Sequence, residues 1–344
     1  MCSTPQRRML ALAAALPLLG TLLCCGSEAG TSAPCRGKTT LAASGSSAQT
    51  QAIDRFDITY STICRGYSVD YTPTASAAGR AEFISGKTDF GGSDSPLGRA
   101  PGEAEKAGIR CGGHDAWNLP LVFSAIAIIY NLAGVDSLVL DAQTAAKIFN
   151  GSIRQWDAPE IAALNPGQDL PSTPIVVIAR SDESGTTENF QNYLSAAAGP
   201  VWGKGTGETF NGAAAASAEG NEGAWATMRH LAGSITYAAW PFAKVNGLPT
   251  AGILTPASSE PVTLTADSVS RSIANVAITT GGNDIVLDTS ALFVPNRPDA
   301  YPIVMATYET VCSTYPDPQV GAAVRNFLTA ALAEGQRDLS DGGY

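Results

Sequence analysis

The sequence predicts a doubly wound α/β fold in two domains. Short apolar strands alternate with helices across Ser/Thr/Gly turns, which is the order of a parallel or mixed sheet covered by helices. The run Leu119–Tyr130 (LPLVFSAIAIIY) is apolar throughout, as in a strand buried on both faces. The 344 residues also exceed the ~250–300 at which one hydrophobic core stops growing.

From Lys38 onward the elements follow in turn. Thr39–Ala43 reads as a strand and Ser44-Gly45-Ser46-Ser47 as a turn, followed by a helix with Ala52, Ile53 and Phe56 on one face and continued by Tyr60. Tyr67–Tyr71 is the next strand. Thr74–Gly79 is a second small-residue turn, opening a helix with Phe83 and Ile84. Strand Thr88–Gly91 runs into Gly92-Ser93-Asp94-Ser95-Pro96, and Leu119–Tyr130 follows. The pattern restarts near Asn131. Leu138–Phe149 reads as helix, Trp156–Leu164 as a short helix ended by Asn165-Pro166-Gly167, and Ile175–Ala179 as strand. Arg180–Thr187 is a polar turn before a helix over Thr187–Ala198, and Asn211–Gly223 a Gly/Ala-rich loop. Ser234–Ala238 and Tyr301–Thr307 read as strands and Val320–Ala333 as a helix. No repeat of fixed period is present.

Composition narrows the function. Hydrophobic residues are 44% and charged residues 15%, with 35 Gly and 21 Pro, which excludes disorder and coiled coil. With 21 Lys+Arg against 31 Asp+Glu, the net charge is −10, and there is no broad basic footprint for nucleic acid. Trp117, Trp156, Trp202, Trp225 and Trp240 are dispersed and read as packing residues. Any anion site must be local.

Arg7 and Arg8 precede an apolar run from Met9 to Cys25, shorter than the ~20 residues of a spanning helix. This order is that of a secretory leader, and it resembles a bacterial lipoprotein signal in which a Cys becomes the lipidated first residue. Cys25 fits best, with Leu22 three positions before it. Cys24 stands where Gly or Ala is usual and is a second candidate acceptor. Residues 1–24 are then the signal peptide and 25–34 a flexible tether. Four cysteines remain, Cys35, Cys64, Cys111 and Cys312, with three pairings open. The preferred pairing is Cys35 with Cys64, each just before a predicted strand of one strand–helix–strand unit, which leaves Cys111 with Cys312. There is no close Cys-x-x-Cys pair and only His114 and His230 as imidazoles, so no metal site is expected.

Strand-to-helix turns of Ser, Thr and Gly suit an anion. Helix N-termini leave N–H groups unpaired and carry partial positive charge, hydroxyls add donors without net charge, and Gly permits close approach. Ser44–Ser47, Thr74–Gly79 and Ser184–Thr187 have this form. Taken singly, each is equally an ordinary N-cap. The third is preceded by Arg180-Ser181-Asp182, where Arg180 offers a planar fork of donors and Asp182 can hold it in place. A surface Arg–Asp pair is the plainer alternative.

Four motifs occur together and in order: Ser44-Gly45-Ser46-Ser47, Asp89-Phe90-Gly91-Gly92-Ser93-Asp94-Ser95-Pro96-Leu97, Ile148–Asp157 (IFNGSIRQWD) and Arg180–Thr186. From Lys38 to Tyr344 the chain resembles the phosphate-binding proteins of phosphate ABC transporters, the PstS family, in their actinobacterial, mycobacterial-type lipoprotein form. The resemblance implies a two-lobed periplasmic binding protein fold, each lobe a mixed or parallel sheet flanked by helices, closing over one phosphate with no cofactor and no catalytic step. It also implies that Ser47, Ala48 and Ser76 bind from one lobe and Arg180, Ser184, Gly185 and Thr186 from the other. Asp182 would orient Arg180, and Asp94 would be the discriminating residue. An ionised carboxylate only accepts hydrogen bonds; phosphate near neutral pH keeps a proton to donate, and sulfate has none.

The sequence departs from the family in places. Ala48 stands where a bulky aromatic is common, which implies looser packing around the ligand. Ala75 replaces a Gly, and Arg80 follows Gly79 where an apolar residue is usual; a solvated Arg80 is the favoured reading. Members of the family continue through a Pro-containing segment and a final helix beyond the point matching Tyr344.

The expectation is therefore an exported receptor, lipid-anchored to the outer face of the cell membrane, that delivers phosphate to ABC permease subunits. Lobe one would span 35–130 plus 302–344, and lobe two 131–301, hinged near Tyr130 and Tyr301. The rivals are a receptor for another tetrahedral oxyanion and a serine hydrolase or phosphatase. A hydrolase needs a base beside its nucleophile, and His114 and His230 lie in ordinary loop and helix-end contexts.

Overall fold

In the computed structural model, which describes residues 35–344 except Arg99, Asn275 and Asp338, an eight-stranded mixed sheet runs through both halves of the molecule. The first half contains β1 (Thr40–Gly45), α1 (Thr50–Ile63), β2 (Ser68–Pro73), α2 (Ser76–Ile84), β3 (Phe90–Ser93), α3 (Glu103–Arg110) and the long β4 (Ala116–Asn131). Next come β5 (Val139–Asp141), α4 (Ala142–Phe149), α5 (Pro159–Leu164), β6 (Val176–Arg180), α6 (Gly185–Trp202), β7 (Ala216–Ala218), α7 (Gly220–Met228), β8 (Ser234–Ala239) and α8 (Trp240–Val245). The chain closes with β9 (Gly252–Leu254), α9 (Ala266–Ile273), the hairpin β10 (Ala277–Ile278) and β11 (Leu287–Asp288), then β12 (Val304–Cys312), α10 (Pro318–Leu332) and α11 (Leu339–Gly342).

The strand order is β2-β1-β3-β12-β4-β8-β6-β7. β1 is parallel to β2 and β3, and β6 is parallel to β7 and β8, while β4 and β12 run antiparallel to their neighbours. β4 joins the halves: Ala116–Ala125 pairs with β12, and Ile126–Asn131 pairs with β8. Its Ala125–Tyr130 stretch is at most 1% exposed, as an apolar strand covered on both faces requires.

Each half has its own core, giving the two-lobed architecture. One core gathers Leu41, Ile53, Phe56, Tyr60, Phe90 and Phe327, with the α1 stripe Ala52, Ile53, Phe56 and Tyr60 facing inward. The other gathers Phe149, Trp156, Phe190, Trp202 and Tyr237 with the second half of β4. Disulfides join Cys35 to Cys64 and Cys111 to Cys312, with Cα separations of 5.5 and 5.4 Å, which is the preferred pairing. The second clips the end of α3 to the end of β12. No helix among the described residues is long and apolar enough to cross a membrane. The signal peptide, the tether and Cys25 lie outside the described residues.

Several sequence expectations are corrected. Leu138–Phe149 is not one helix: Val139–Asp141 is a strand, and the helix begins at Ala142 because Asp141 caps it by accepting from Thr144 N at 2.7 Å. Helical and strand spacing coincide over so short a run. The second helix is confined to Pro159–Leu164, with Pro at its first position, and Trp156 turns into the core, donating from Nε1 to Gly233 O at 2.9 Å. Asn211–Gly223 is not all loop, since it contains β7 and the first turn of α7. Ala, Ser and Gly give no hydrophobic period to read. The last strand begins at Val304 and reaches Cys312.

Candidate functional site

The first-half turns are held by close backbone packing. β1 ends at Gly45 (φ +149°), where a Cβ would fall 1.9 Å from Gly92 O; only glycine lets the ends of β1 and β3 meet. Ser46 follows, its N–H bonded to Gly92 O at 3.0 Å and its Oγ accepting from Ala48 N at 3.1 Å. Ser47 Oγ accepts from Asn221 N and Nδ2, at 3.2 and 3.0 Å, across the cleft. Ala48 N–H is therefore spent on Ser46. Beside it, Tyr344 Oη donates to Ala48 O at 2.9 Å, and both residues line a cavity of about 370 Å³ with Ser47 and Asn221.

Ser76 opens α2, 1% exposed, and its Oγ accepts from Asp94 N at 3.1 Å. Asp94, 3% exposed, follows β3. Its Oδ2 accepts from Thr186 Oγ1 at 2.8 Å, while Oδ1 is buried with no partner. Burial pushes the Asp94 carboxyl up to about 6, against the opposing pull of the nearby Ser46 hydroxyl, the Thr186 hydrogen bond and the Arg180 charge. At neutral pH it is ionised.

The facing turn leaves β6 at Arg180, 4% exposed. Its Nε donates to Asp182 Oδ1 at 2.7 Å and its Nη2 to Asp182 Oδ2, a two-pronged grip. Asp182 Oδ1 also accepts from Gly220 N at 3.1 Å. Arg180 Nη1 is buried with no partner. Ser184 caps α6, its Oγ accepting from Thr187 N at 3.3 Å, so this hydroxyl has the ordinary capping role. Gly185 has no room for a side chain. A Cβ there would lie 2.6 Å from Ser76 Oγ and 2.8 Å from Asp94 Cβ.

The four turns therefore converge. Besides Ser47–Asn221 and Asp94–Thr186, Ala77 N donates to Glu183 O at 3.3 Å and Asn189 Nδ2 to Asp94 O at 2.9 Å. The lobes are shut on each other, with Gly185 in contact with the first-lobe turns. Arg80 corrects the solvated reading. It is 4% exposed, its Nε donates to Glu103 Oε1 at 2.8 Å, and Nη1 reaches Ser93 Oγ at 2.9 Å. Nη1 and Nη2 also grip Glu208 Oε1 and Oε2 across the cleft, at 2.9 Å each.

Sequence reasoning missed Asn221, Glu208 and Asn189. Asn221 carried a faint signal, since Gly220-Asn221-Glu222 is again a small-residue turn entering a helix, but its strand is three small residues long. Glu208 had no local signal at all.

Two α/β lobes closed over buried donors define a class, the two-lobed solute-binding proteins, and the PBP superfamily domain matches residues 30–333. The phosphate-binding protein PstS 3 of Mycobacterium leprae is 52% identical over 310 residues, covering 90% of this chain and 83% of the relative. PstS 2 of Mycobacterium tuberculosis is 50% identical over 309 residues, again 90% and 83%. The chain belongs to the PstS family of phosphate-binding proteins. In three dimensions it is similar to the high-affinity periplasmic phosphate-binding protein PfluDING, solved with phosphate, at TM-score 0.70, 22% identity and 89% coverage of both chains. A substrate-binding protein from Clostridium perfringens, solved with bound phosphate, gives TM-score 0.61 at 16% identity, covering 88% of this chain and 98% of that one. At those identities the likeness is one of fold.

Proposed function

We propose that the protein captures one inorganic phosphate between its lobes and, anchored by lipid on Cys25 at the outer face of the cell membrane, delivers it to the permease of an ABC transporter. One observation carries the reading. Arg180 Nη1 is a buried charged donor without an acceptor, and Asp94 Oδ1 is a buried charged acceptor without a donor. Leaving either unmatched costs about 1–3 kcal/mol or more, so a guest that completes both is strongly favoured. Hydrogen phosphate does so, offering anionic oxygen to Arg180 and its hydroxyl to Asp94.

Around those two groups, Ser47 and Ser76 supply hydroxyl donors, because both oxygens only accept within the protein, whereas the Thr186 hydroxyl proton goes to Asp94 Oδ2. The α6 N-terminus presents Gly185 and Thr186 N–H with Ser184 as cap. Ala48 would contribute its N–H by releasing Ser46, and Asp182 holds the guanidinium planar to the guest. The lobes are 35–130 plus 302–344 and 131–301, and the partner change on β4 at Ala125/Ile126 supports a crossing close to the expected hinge. Donors from both sides favour the closed state.

No bond is made or broken in this scheme. Both histidines are exposed, whereas Ser76 and Ser184 are 1% exposed, which speaks against a histidine-activated serine. The test is calorimetry on ligand-stripped protein near neutral pH. One phosphate per chain and no competition from excess sulfate is expected, and equal affinity for the two anions would overturn the reading.

A further inference from the structure

Behind the first turn lies a carboxyl that the scheme above does not use. Glu309 sits in β12, opposite Gly92 of β3 and Leu119 of β4, at 0% exposure. Neither of its oxygens has a partner. Residues opposed in an antiparallel pair carry their side chains on the same face. On that face the space above Gly92 is taken by the Gln49 amide: a Cβ on Gly92 would lie 1.8 Å from Gln49 Nε2 and 2.6 Å from Tyr71 Oη. Glu309 therefore rises beside Gln49.

The hydrogen bonds beyond Gln49 have a fixed direction. Gln49 Nε2 donates to Tyr71 Oη at 3.1 Å, and Tyr71, having one proton, spends it on Ser46 O at 2.8 Å. Ser46 is the cap that receives Ala48 N. At the other end of this chain Gln49 Oε1 is buried and lacks a donor. What is missing is a single proton, and Glu309 is the neighbouring group able to carry one.

Burial pushes the Glu309 carboxyl well above the usual range; Gln49 opposes this and the Asp94 charge adds to it. The titratable groups around it are Tyr71 from β2, Asp94 beyond β3 and Tyr315 beyond β12. An ionised Glu309 would set a second carboxylate near the guest without relief.

We propose that Glu309 is a positioning residue for the anion site: as a neutral carboxylic acid it donates to Gln49 Oε1 and completes a directed chain through Gln49 and Tyr71 to the Ser46 carbonyl. The chain holds the first ligand turn in register while adding no negative charge beside it. This rests on the phosphate reading above.

The test has two arms. Infrared spectra of the ligand-free protein at neutral pH should contain a carboxylic-acid carbonyl band that disappears in Glu309→Gln. Its absence from the wild type would overturn the proposal, whatever the protein binds. In phosphate calorimetry, Glu309→Ala should lose at least about tenfold in affinity, and Glu309→Gln, which keeps a neutral donor, should recover most of that loss. If Glu309→Ala does not fold, Tyr71→Phe cuts the same chain and should weaken binding several-fold. Unchanged affinity in these variants, or a Gln variant as damaged as the Ala one, would overturn the role. A wild type that ignores phosphate would instead sink the functional reading and leave the infrared arm to decide the proton.

Discussion

Arg80 and Arg180 look alike by exposure and differ in what their guanidinium groups have left to give. Each is 4% exposed, and each grips a carboxylate with two nitrogens. Every guanidinium nitrogen of Arg80 has a partner, among Glu103, Ser93 and Glu208. Arg180 keeps Nη1 unpartnered, in the region where Asp94 keeps Oδ1 unpartnered. The Arg80–Glu208 pair spans 128 residues and ties the two lobes together, whereas Arg180–Asp182 is local and only aims the fork. A buried arginine is thus a latch when each of its nitrogens is engaged within the protein, and has a donor to offer a guest when one nitrogen is held open. Burial alone does not distinguish the two.

A site built to pair with a guest's hydroxyl rejects the analogue lacking it by about 10⁴–10⁵. Asp94→Asn replaces the obligate acceptor with an amide able to donate, so the preference for phosphate over sulfate should fall on the order of 10²-fold or more in competition calorimetry. Unchanged discrimination would remove Asp94 from the role of proton acceptor.

Arg80→Leu should act on stability first. It leaves Glu103 and Glu208 unpaired, with side chains only 11% and 18% exposed, at a cost of about 3 kcal/mol in denaturant unfolding. Phosphate-over-sulfate preference should survive, because no proposed ligand contact is lost. A variant as stable as the wild type would demote the latch to an ordinary ion pair.

The Asp94 carboxyl also gives the site a pH signature. Its value in the fold, about 6, lies above the ordinary 3.8. A carboxyl raised in this way favours the folded form fully below the unfolded value, and that contribution is lost as pH rises through about 6. In phosphate-free buffer, the stability of the wild type relative to Asp94→Asn should therefore fall by roughly 2–3 kcal/mol between about pH 4 and pH 7. A flat difference would mean that Asp94 titrates normally.

Arg180→Ala should weaken phosphate by at least about tenfold, the loss of one charge-assisted contact. Full affinity in that variant would erase the distinction between the two arginines.

Much of the scaffold is legible from local pattern. The α1 stripe from Ala52 to Tyr60, the unbroken apolar run inside β4, and the two cysteines that each precede a strand of one strand–helix–strand unit declare their place through nearest-neighbour chemistry. Legibility stops where residues are small or where partners are distant. Val139–Leu140 fits a strand or a helix equally over so few positions, and Ala216–Ala218 has no apolar side chains large enough to set a period. Arg80 was misread because its partners, Glu103 and Glu208, lie 23 and 128 residues away.

By itself, the sequence determined that this is an α/β protein with small-residue turns at its helix starts, a local Arg-x-Asp fork and an acidic overall charge. Those features follow from side-chain size, periodicity and composition. Tertiary structure alone decided that the turns meet, that Asn221 reaches Ser47, that Arg80 is a latch, and that Glu309 stands under the first turn. The physical reason is that hydrogen bonds and desolvation depend on which atoms share a low-dielectric space, and here the strand order β3-β12-β4-β8 brings distant segments into one.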